Sequence, residues 1–252
     1  SCLGSWARRC VLETGIEDID PIRCKDEYTD AIVEDLEWLG LDWETPIRKQ
    51  SDHMADYAVA LNKLQSLQVL YRCFCSRSEI MTEIKNSGHA PHGPDGPIYP
   101  GICRRLTNIR RKSLLAAGKN YAQRLDMEVA ISRAGKLEWS DSKNQLFKAE
   151  PLRFGDVVLA RKDIETSYHL AVTVDDHLQG ITLVHRGSDL KPSTDIHKLL
   201  QNLLEYKTPI YDHHYLLTDG DGRRLSKRNK DITKERVNAL WAAPLIAFGS
   251  SK

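Results

Sequence analysis

The chain has 252 residues, with 36 Lys and Arg against 35 Asp and Glu and a net charge of +1. That length buries a substantial core, as one large α/β domain or two smaller ones. The near-neutral balance gives no global attraction for nucleic acid, so an RNA partner needs a local basic patch; no apolar run reaches the roughly eighteen residues of a membrane helix, and the first residues do not read as a signal peptide.

Tyr28, Ile32, Leu36 and Leu39 recur at helical spacing and predict a helix over about Asp26–Leu39, stopped by Gly40. Met54, Tyr57, Leu61 and Leu64 predict a second helix over about Asp52–Leu67. Leu70–Cys73 reads as a strand that runs into Cys73-Phe74-Cys75. From about residue 76 to 150 the chain reads as an insertion: a Gly/Pro-rich loop, then a basic helix near Asn108–Ala117. Short strands are expected at Ala122–Met127 and Val157–Ala160. Leu170–Val174 and Ile181–Val184 read as buried strands, Asp195–Leu204 as a helix and Tyr215-Leu216-Leu217 as a last strand. Asp231–Ala247 reads as one terminal helix.

The six cysteines do not form an evenly spaced disulfide framework, so a reducing compartment is the simpler reading. Cys73 and Cys75, with Cys103, are the chemically interesting subset: a Cys-x-Cys pair is too close for an easy disulfide and can chelate one ion. Zinc takes about four N, O or S ligands. The fourth position is open among Tyr99, His89 and His92, and buried free thiols are the competing reading. The loop Gly88–Gly101 has little apolar content to hold itself, which favours a metal clip.

Two further segments carry chemistry. Gly222-Arg223-Arg224-Leu225-Ser226-Lys227-Arg228 follows the turn-forming Asp219-Gly220-Asp221 and sets four cations around one serine. That density suits a polyphosphate, with a solvated basic loop as the alternative. The block from Ser167 to Asp189 leads its two apolar runs into Asp175-Asp176 and into Arg186-Gly187-Ser188-Asp189. Ligands in open α/β sheets sit beyond the carboxyl ends of strands, so Tyr168, Asp175, Asp176, Arg186 and Asp189 are candidates to hold a small charged substrate. Arg104-Arg105 with Arg110-Arg111-Lys112, and the loop from Arg223 to Lys230, are the candidate basic patches.

Together these segments resemble the catalytic domain of glutamyl-tRNA synthetases, a class I aminoacyl-tRNA synthetase family. The resemblance rests on Tyr168-His169-Leu170-Ala171, Val174-Asp175-Asp176-His177-Leu178, Gly180-Ile181-Thr182 and Arg186-Gly187. It continues in Arg224-Leu225-Ser226-Lys227-Arg228, which is similar to the KMSKS loop, and in Gly15–Arg23, which is similar to an Arg-Ile-Glu-Asp-x-Asp segment. His92–Gly101, Gly155–Asp163 and the 24 residues that follow Arg228, too few for an anticodon-binding domain, point to the short glutamyl-Q branch of the family, which modifies tRNA.

The resemblance implies a class I Rossmann-like parallel sheet with an inserted zinc-bearing, acceptor-type subdomain. Its segments are 1–75 and 151–230 for the catalytic domain, 76–150 for the insertion and 231–252 for a C-terminal helix and tail. It implies ATP with magnesium as cofactor, L-glutamate and tRNA(Asp) as partners, and glutamyl transfer to the queuosine base of that tRNA. Lys227 is then the catalytic cation, with Arg224 and Ser226 also at ATP; Glu17, Tyr168 and Arg186 hold glutamate; Cys73, Cys75, Tyr99 and Cys103 hold zinc. A cytoplasmic monomer is expected. One departure stands out: none of the nine histidines sits in a His-x-Gly-His pattern, and Gly15 stands where the family has Arg. The reading is therefore that the N-terminal strand and its ATP motif are missing and activity is poor. Alternatives are a glutamyl-tRNA synthetase catalytic fragment or an inactive zinc- and RNA-binding relic.

Overall fold

The structure is a computed structural model that describes residues 15–86, 92–216 and 218. The described chain divides into two units. One comprises residues 15–184 and 192–212, the other 185–191 and 213–218 as far as described.

The first unit begins with β1 (Gly15–Ile16), then α1 (Asp26–Trp38). Gly40 takes φ +69° and donates its N–H to the Glu37 carbonyl, so the glycine ends α1 where sequence expects it. β2 (Arg48–Lys49) pairs in parallel with β1, Gly15 opposite Arg48 and Ile16 opposite Lys49. A 3-10 turn (Gln50–His53) feeds α2 (Met54–Ser66), whose Tyr57, Ala60, Leu61 and Leu64 are buried, the spacing of one helical face. β3 (Leu70–Cys73) follows, then α3 (Arg77–Asn86) and a small hairpin of β4 (His92–Gly93) and β5 (Gly96–Pro97).

Next come α4 (Asn108–Ala116), capped by the Thr107 hydroxyl, which accepts from the Arg110 N–H, and β6 (Ala122–Leu125). α5 (Met127–Ala134) is capped by Asp126. A hairpin of β7 (Glu138–Ser140) and β8 (Leu146–Lys148) leads through a 3-10 turn, Pro151–Phe154, into β9 (Val158–Ala160). α6 (Tyr168–Leu178), β10 (Leu183–Gly187), α7 (Thr194–Leu204) and β11 (Ile210–His214) complete the order. β10 and β11 are hydrogen-bonded neighbours.

The core lies where α2, α6 and α7 pack together over the sheet β3-β6-β9. Tyr57, Leu64, Leu125, Leu159, Leu170, Ile196, Leu199, Leu200 and Leu204 are fully buried there. Each large apolar side chain contributes about 1.5–3 kcal/mol by leaving water. Two glycines allow close approach at the edge of the 3-10 turn. A Cβ on Gly93 would sit 2.5 Å from the Arg153 carbonyl oxygen, and one on Gly155, at φ +64°, would collide with Ile98. Among the described residues no helix is long and apolar enough to cross a membrane.

The elements are mixed α/β, as expected. The sheet β3-β6-β9 is antiparallel throughout, with Cys73 opposite Ala122 and Leu70 opposite Leu125. β1 and β2 pair in parallel, as do the two residues of an isolated bridge, Asp141 to Tyr211. Three local readings need correction. Leu170–Val174 is helix, not strand: the Ser167 hydroxyl accepts from the Leu170 N–H, and Leu170, Ala171 and Val174 share the buried face of α6. A five-residue apolar run has no period of its own, and packing against α2 and α7 outweighs the β-propensity of Val172, Thr173 and Val174. The second strand runs Leu183–Gly187, so Arg186 lies within it rather than beyond it. The last described strand is Ile210–His214; Tyr215 follows it and is 92% exposed, and Leu217 lies outside the described residues. So does the helix expected at Asp231–Ala247.

Candidate metal centre and the expected substrate-site residues

β3 delivers Cys73, and Cys75 follows one residue beyond Phe74. From the opposite side, a tight turn at Gly101 (φ +74°) sets Tyr99 and Cys103 against them, with the Arg104 N–H donating to the Gly101 carbonyl. The Cys73 Sγ lies 3.4 Å from the Tyr99 Oη, the Cys75 Sγ 3.6 Å from it, and the Cys103 N–H donates to the same oxygen at 2.8 Å. The Phe74 N–H donates to the Cys103 Sγ at 3.3 Å. The three sulfur atoms lie within 4.8 Å of one another.

The protons divide unequally in this cluster. Hydrogen bonding from Cys73, helped by the Phe74 N–H, holds the Cys103 thiol down to about 6. The same contact with Cys103, and then burial, pushes Cys73 up to about 12. Burial, then the Cys73 contact, pushes the Tyr99 phenol well above its ordinary range. One thiolate shared among neighbouring thiols is an arrangement that a soft cation can complete by displacing the remaining protons.

Cations line the outside. The Arg124 guanidinium sits 3.9 Å from the Tyr99 ring centroid and donates to the Asp156 carbonyl at 2.7 Å. The Lys162 Nζ donates to the Phe74 carbonyl at 2.8 Å, and the Arg111 Nη2 to the Arg104 carbonyl at 2.8 Å. Three thiols and a phenol fit a four-coordinate ion in their donor chemistry. His92 sits exposed on β4, outside the cysteine cluster, and His89 lies outside the described residues.

Glu17 directly follows β1 and is exposed. Tyr168 is the first residue of α6 and is half-buried. Both belong to the first unit; Arg186 belongs to the second, where its Nε lies 3.5 Å from the His213 Nε2. In that unit a Cβ on Gly187 would meet the Asp189 Oδ1 at 2.5 Å, so glycine lets the Ser188–Leu190 turn fold back. Arg224, Ser226 and Lys227 lie outside the described residues.

Asp175 is not a ligand-facing residue as expected. It is 7% exposed and fully engaged by protein donors. The Arg48 Nε donates to its Oδ1 at 2.7 Å, the Gln50 Nε2 to its Oδ2 at 2.9 Å, and the Tyr57 hydroxyl lies 3.0 Å from both oxygens. The same Arg48 donates through Nη2 to Asp56 at 2.6 Å. Burial, then the Asp175 charge, pushes the Tyr57 phenol above its ordinary range, so it stays a donor. Only the doubled Asp175-Asp176 marked this network in the sequence; its partners lie 118 to 127 residues away.

The first basic cluster is also partly structural. Arg104 faces Asp156 at 3.5 Å and Asp126 and Glu128 at 3.8 Å, and Arg111 serves backbone carbonyls. Arg105, Arg110 and Lys112 are exposed.

Comparison with known proteins follows this geometry. Residues 9–247 match the family model described as tRNA synthetases class I (E and Q), catalytic domain. A glutamyl-Q tRNA(Asp) synthetase of Rhodobacter capsulatus is 40% identical over 235 residues, 91% of this chain and 83% of that protein. A glutamate–tRNA ligase of Coprothermobacter proteolyticus is 34% identical over 92% of this chain, which spans 49% of that protein. The crystal structure of glutamate-tRNA synthetase from Elizabethkingia anophelis superposes with a TM-score of 0.70 at 26% identity, covering 86% of this chain and 46% of that one. With a family model matching nearly its whole length, the chain belongs to the class I tRNA synthetases of the E and Q type, as a ligase-type catalytic domain.

Proposed function

We propose that this chain is a glutamyl-Q tRNA(Asp) synthetase. It joins L-glutamate to AMP at the expense of ATP and passes the glutamyl group to the queuosine base of tRNA(Asp). The observation that carries this reading is the 40% identity, over 91% of the chain, to the Rhodobacter capsulatus protein of that name.

In the first step a glutamate α-carboxylate oxygen attacks the α-phosphorus of ATP, the bond to the bridging oxygen breaks, and pyrophosphate leaves. No covalent nucleophile is required of the protein; it aligns two anions and stabilises the charge that grows on the leaving group. Lys227 supplies that stabilisation, with Arg224 and Ser226 holding the phosphates. Magnesium, when bound with ATP, screens the phosphate charge. Glu17 takes the α-ammonium of glutamate, Arg186 grips a carboxylate as a fork, and Tyr168 offers its hydroxyl. In the second step the queuosine base displaces AMP from the glutamyl carbonyl. Zinc, held by Cys73, Cys75, Tyr99 and Cys103, is a structural clip that ties the turn after β5 to the end of β3. The enzyme works as a cytoplasmic monomer.

The test is glutamate-dependent ATP–pyrophosphate exchange by this chain, followed by transfer of labelled glutamate to queuosine-containing tRNA(Asp). Exchange and transfer support the reading. Transfer to the 3′ end of tRNA(Glu) instead would make the chain a glutamate–tRNA ligase domain, and no exchange would remove the activity.

A further inference from the structure

We infer that Asp175 is a positioning residue for the glutamate site, holding the strand pair that delivers Glu17 against the helix that delivers Tyr168. The inference rests on the proposed roles of those two residues. Everything it joins lies in the first unit.

β1 and β2 are two residues long each, far too short to fix their own geometry. What fixes them is side-chain chemistry on β2 and the turn after it. Arg48 lies opposite Gly15 in the register, two residues before Glu17, and its guanidinium is committed to Asp175 and Asp56. Gln50 adds a second bond to Asp175, from the 3-10 turn. One residue on, the Ser51 N–H and hydroxyl both donate to Asp18, at 2.8 and 2.6 Å, and so pin the residue that follows Glu17. The chain around Glu17 is therefore held from both sides by contacts that begin on β2 and its turn.

The other end of the network is helical. Tyr168 and Asp175 are seven residues apart on α6, about two turns, and so share a face. Anchoring Asp175 fixes the rotation of that face, because a helix of this length turns as a rigid rod. Tyr57 of α2 closes the third side, its one hydroxyl proton shared between carboxylate oxygens that both lie 3.0 Å away.

The chemistry favours orientation over stability. Buried ion pairs contribute little net stability compared with well-packed apolar residues, because desolvation offsets the attraction. What an arginine bridging two carboxylates through different nitrogens supplies is direction, in bonds that tolerate little displacement. Three donors from three elements, β2, the turn after it and α2, converge on one buried carboxylate and define a relative placement of β2, α2 and α6.

The experiment is steady-state ATP–pyrophosphate exchange by the full chain and by Asp175→Asn and Arg48→Lys, with glutamate and ATP varied separately. Glutamate affinity is measured in parallel by calorimetry and the active fraction by adenylate titration. Arg48→Lys keeps the charge while losing the planar group that bridges Asp175 and Asp56. The expected result is a rise of about ten-fold or more in KM for glutamate in both variants, with KM for ATP within about two-fold and the same loss in calorimetric affinity. A merely structural role would lower kcat in step with the active fraction and leave KM for glutamate unchanged; that outcome overturns the inference. A wild-type chain that neither exchanges nor binds glutamate overturns the proposed function and this inference with it. A competent wild type whose variants match it overturns the inference alone.

Discussion

The Sγ atoms of Cys75 and Cys103 lie 3.3 Å apart. A disulfide needs about 2.05 Å, so these are two unbonded sulfurs in contact, at a separation that two ligands of one ion adopt with little movement. Metal analysis of the purified chain should find about one zinc per molecule. Cys73→Ser should release it and lower the melting temperature, since the clip between β3 and the turn after β5 is lost. A native chain without zinc removes this expectation.

Zinc retention should weaken with acid. Cys103 sits near 6 and is close to ready to bind, whereas Cys73, pushed up to about 12, must surrender a proton when the ion enters. Ligand deprotonation couples binding to pH, so affinity falls as pH falls. Competition with a fixed concentration of a chromophoric chelator should show faster metal loss at pH 6 than at pH 8.

Tyr71→Phe should cost about 1–3 kcal/mol of folding stability. Its hydroxyl donates at 2.5 Å to Asp156, which is 4% exposed and, among the described residues, keeps the Met127 N–H and the more distant Arg104 as side-chain-oxygen partners. Burial, then the Asp156 contact, raises the Tyr71 phenol far above its ordinary range, so it stays protonated through neutral and mildly alkaline pH. Urea denaturation should therefore give the same loss at pH 6 and pH 9.

Lys227→Ala should abolish glutamate-dependent exchange while leaving the far-ultraviolet circular dichroism and the melting temperature unchanged. A variant that unfolds would show that Lys227 supports the fold and not the leaving pyrophosphate.

Much of the fold was legible where a period was long enough to be read. α1, α2 and α7 begin and end within two residues of their expected bounds, and β3 matches at both ends. α2 and α7 carry apolar residues at the spacing of a buried face and β3 the four-residue alternation of a strand, whereas α1 keeps the helical spacing with no residue buried. α6 failed because its apolar stretch is a short run of β-branched residues, and only its neighbours decide the outcome. The antiparallel order of β3, β6 and β9 was not legible either: its strands are short and its pairings join segments about fifty and thirty-five residues apart. Within the candidate metal centre, spacing singled out the three cysteines that the structure brings together, and the resemblance singled out Tyr99, which lies within 3.6 Å of two of them. The Asp175 network escaped because its partners Arg48, Gln50 and Tyr57 carry no local motif, and a carboxylate at the end of an apolar run reads equally as ligand or anchor.

The close approach at Gly93 and Gly155 has a consequence for sequence drift. Both glycines hold open the same seam, between the strip bearing Ile98 and the turn bearing Arg153. A single methyl group at either position acts as a wedge, and Tyr99, bonded to Ile98, is the first residue it levers. A library randomised at 93 and 155 should therefore yield survivors that keep glycine at both.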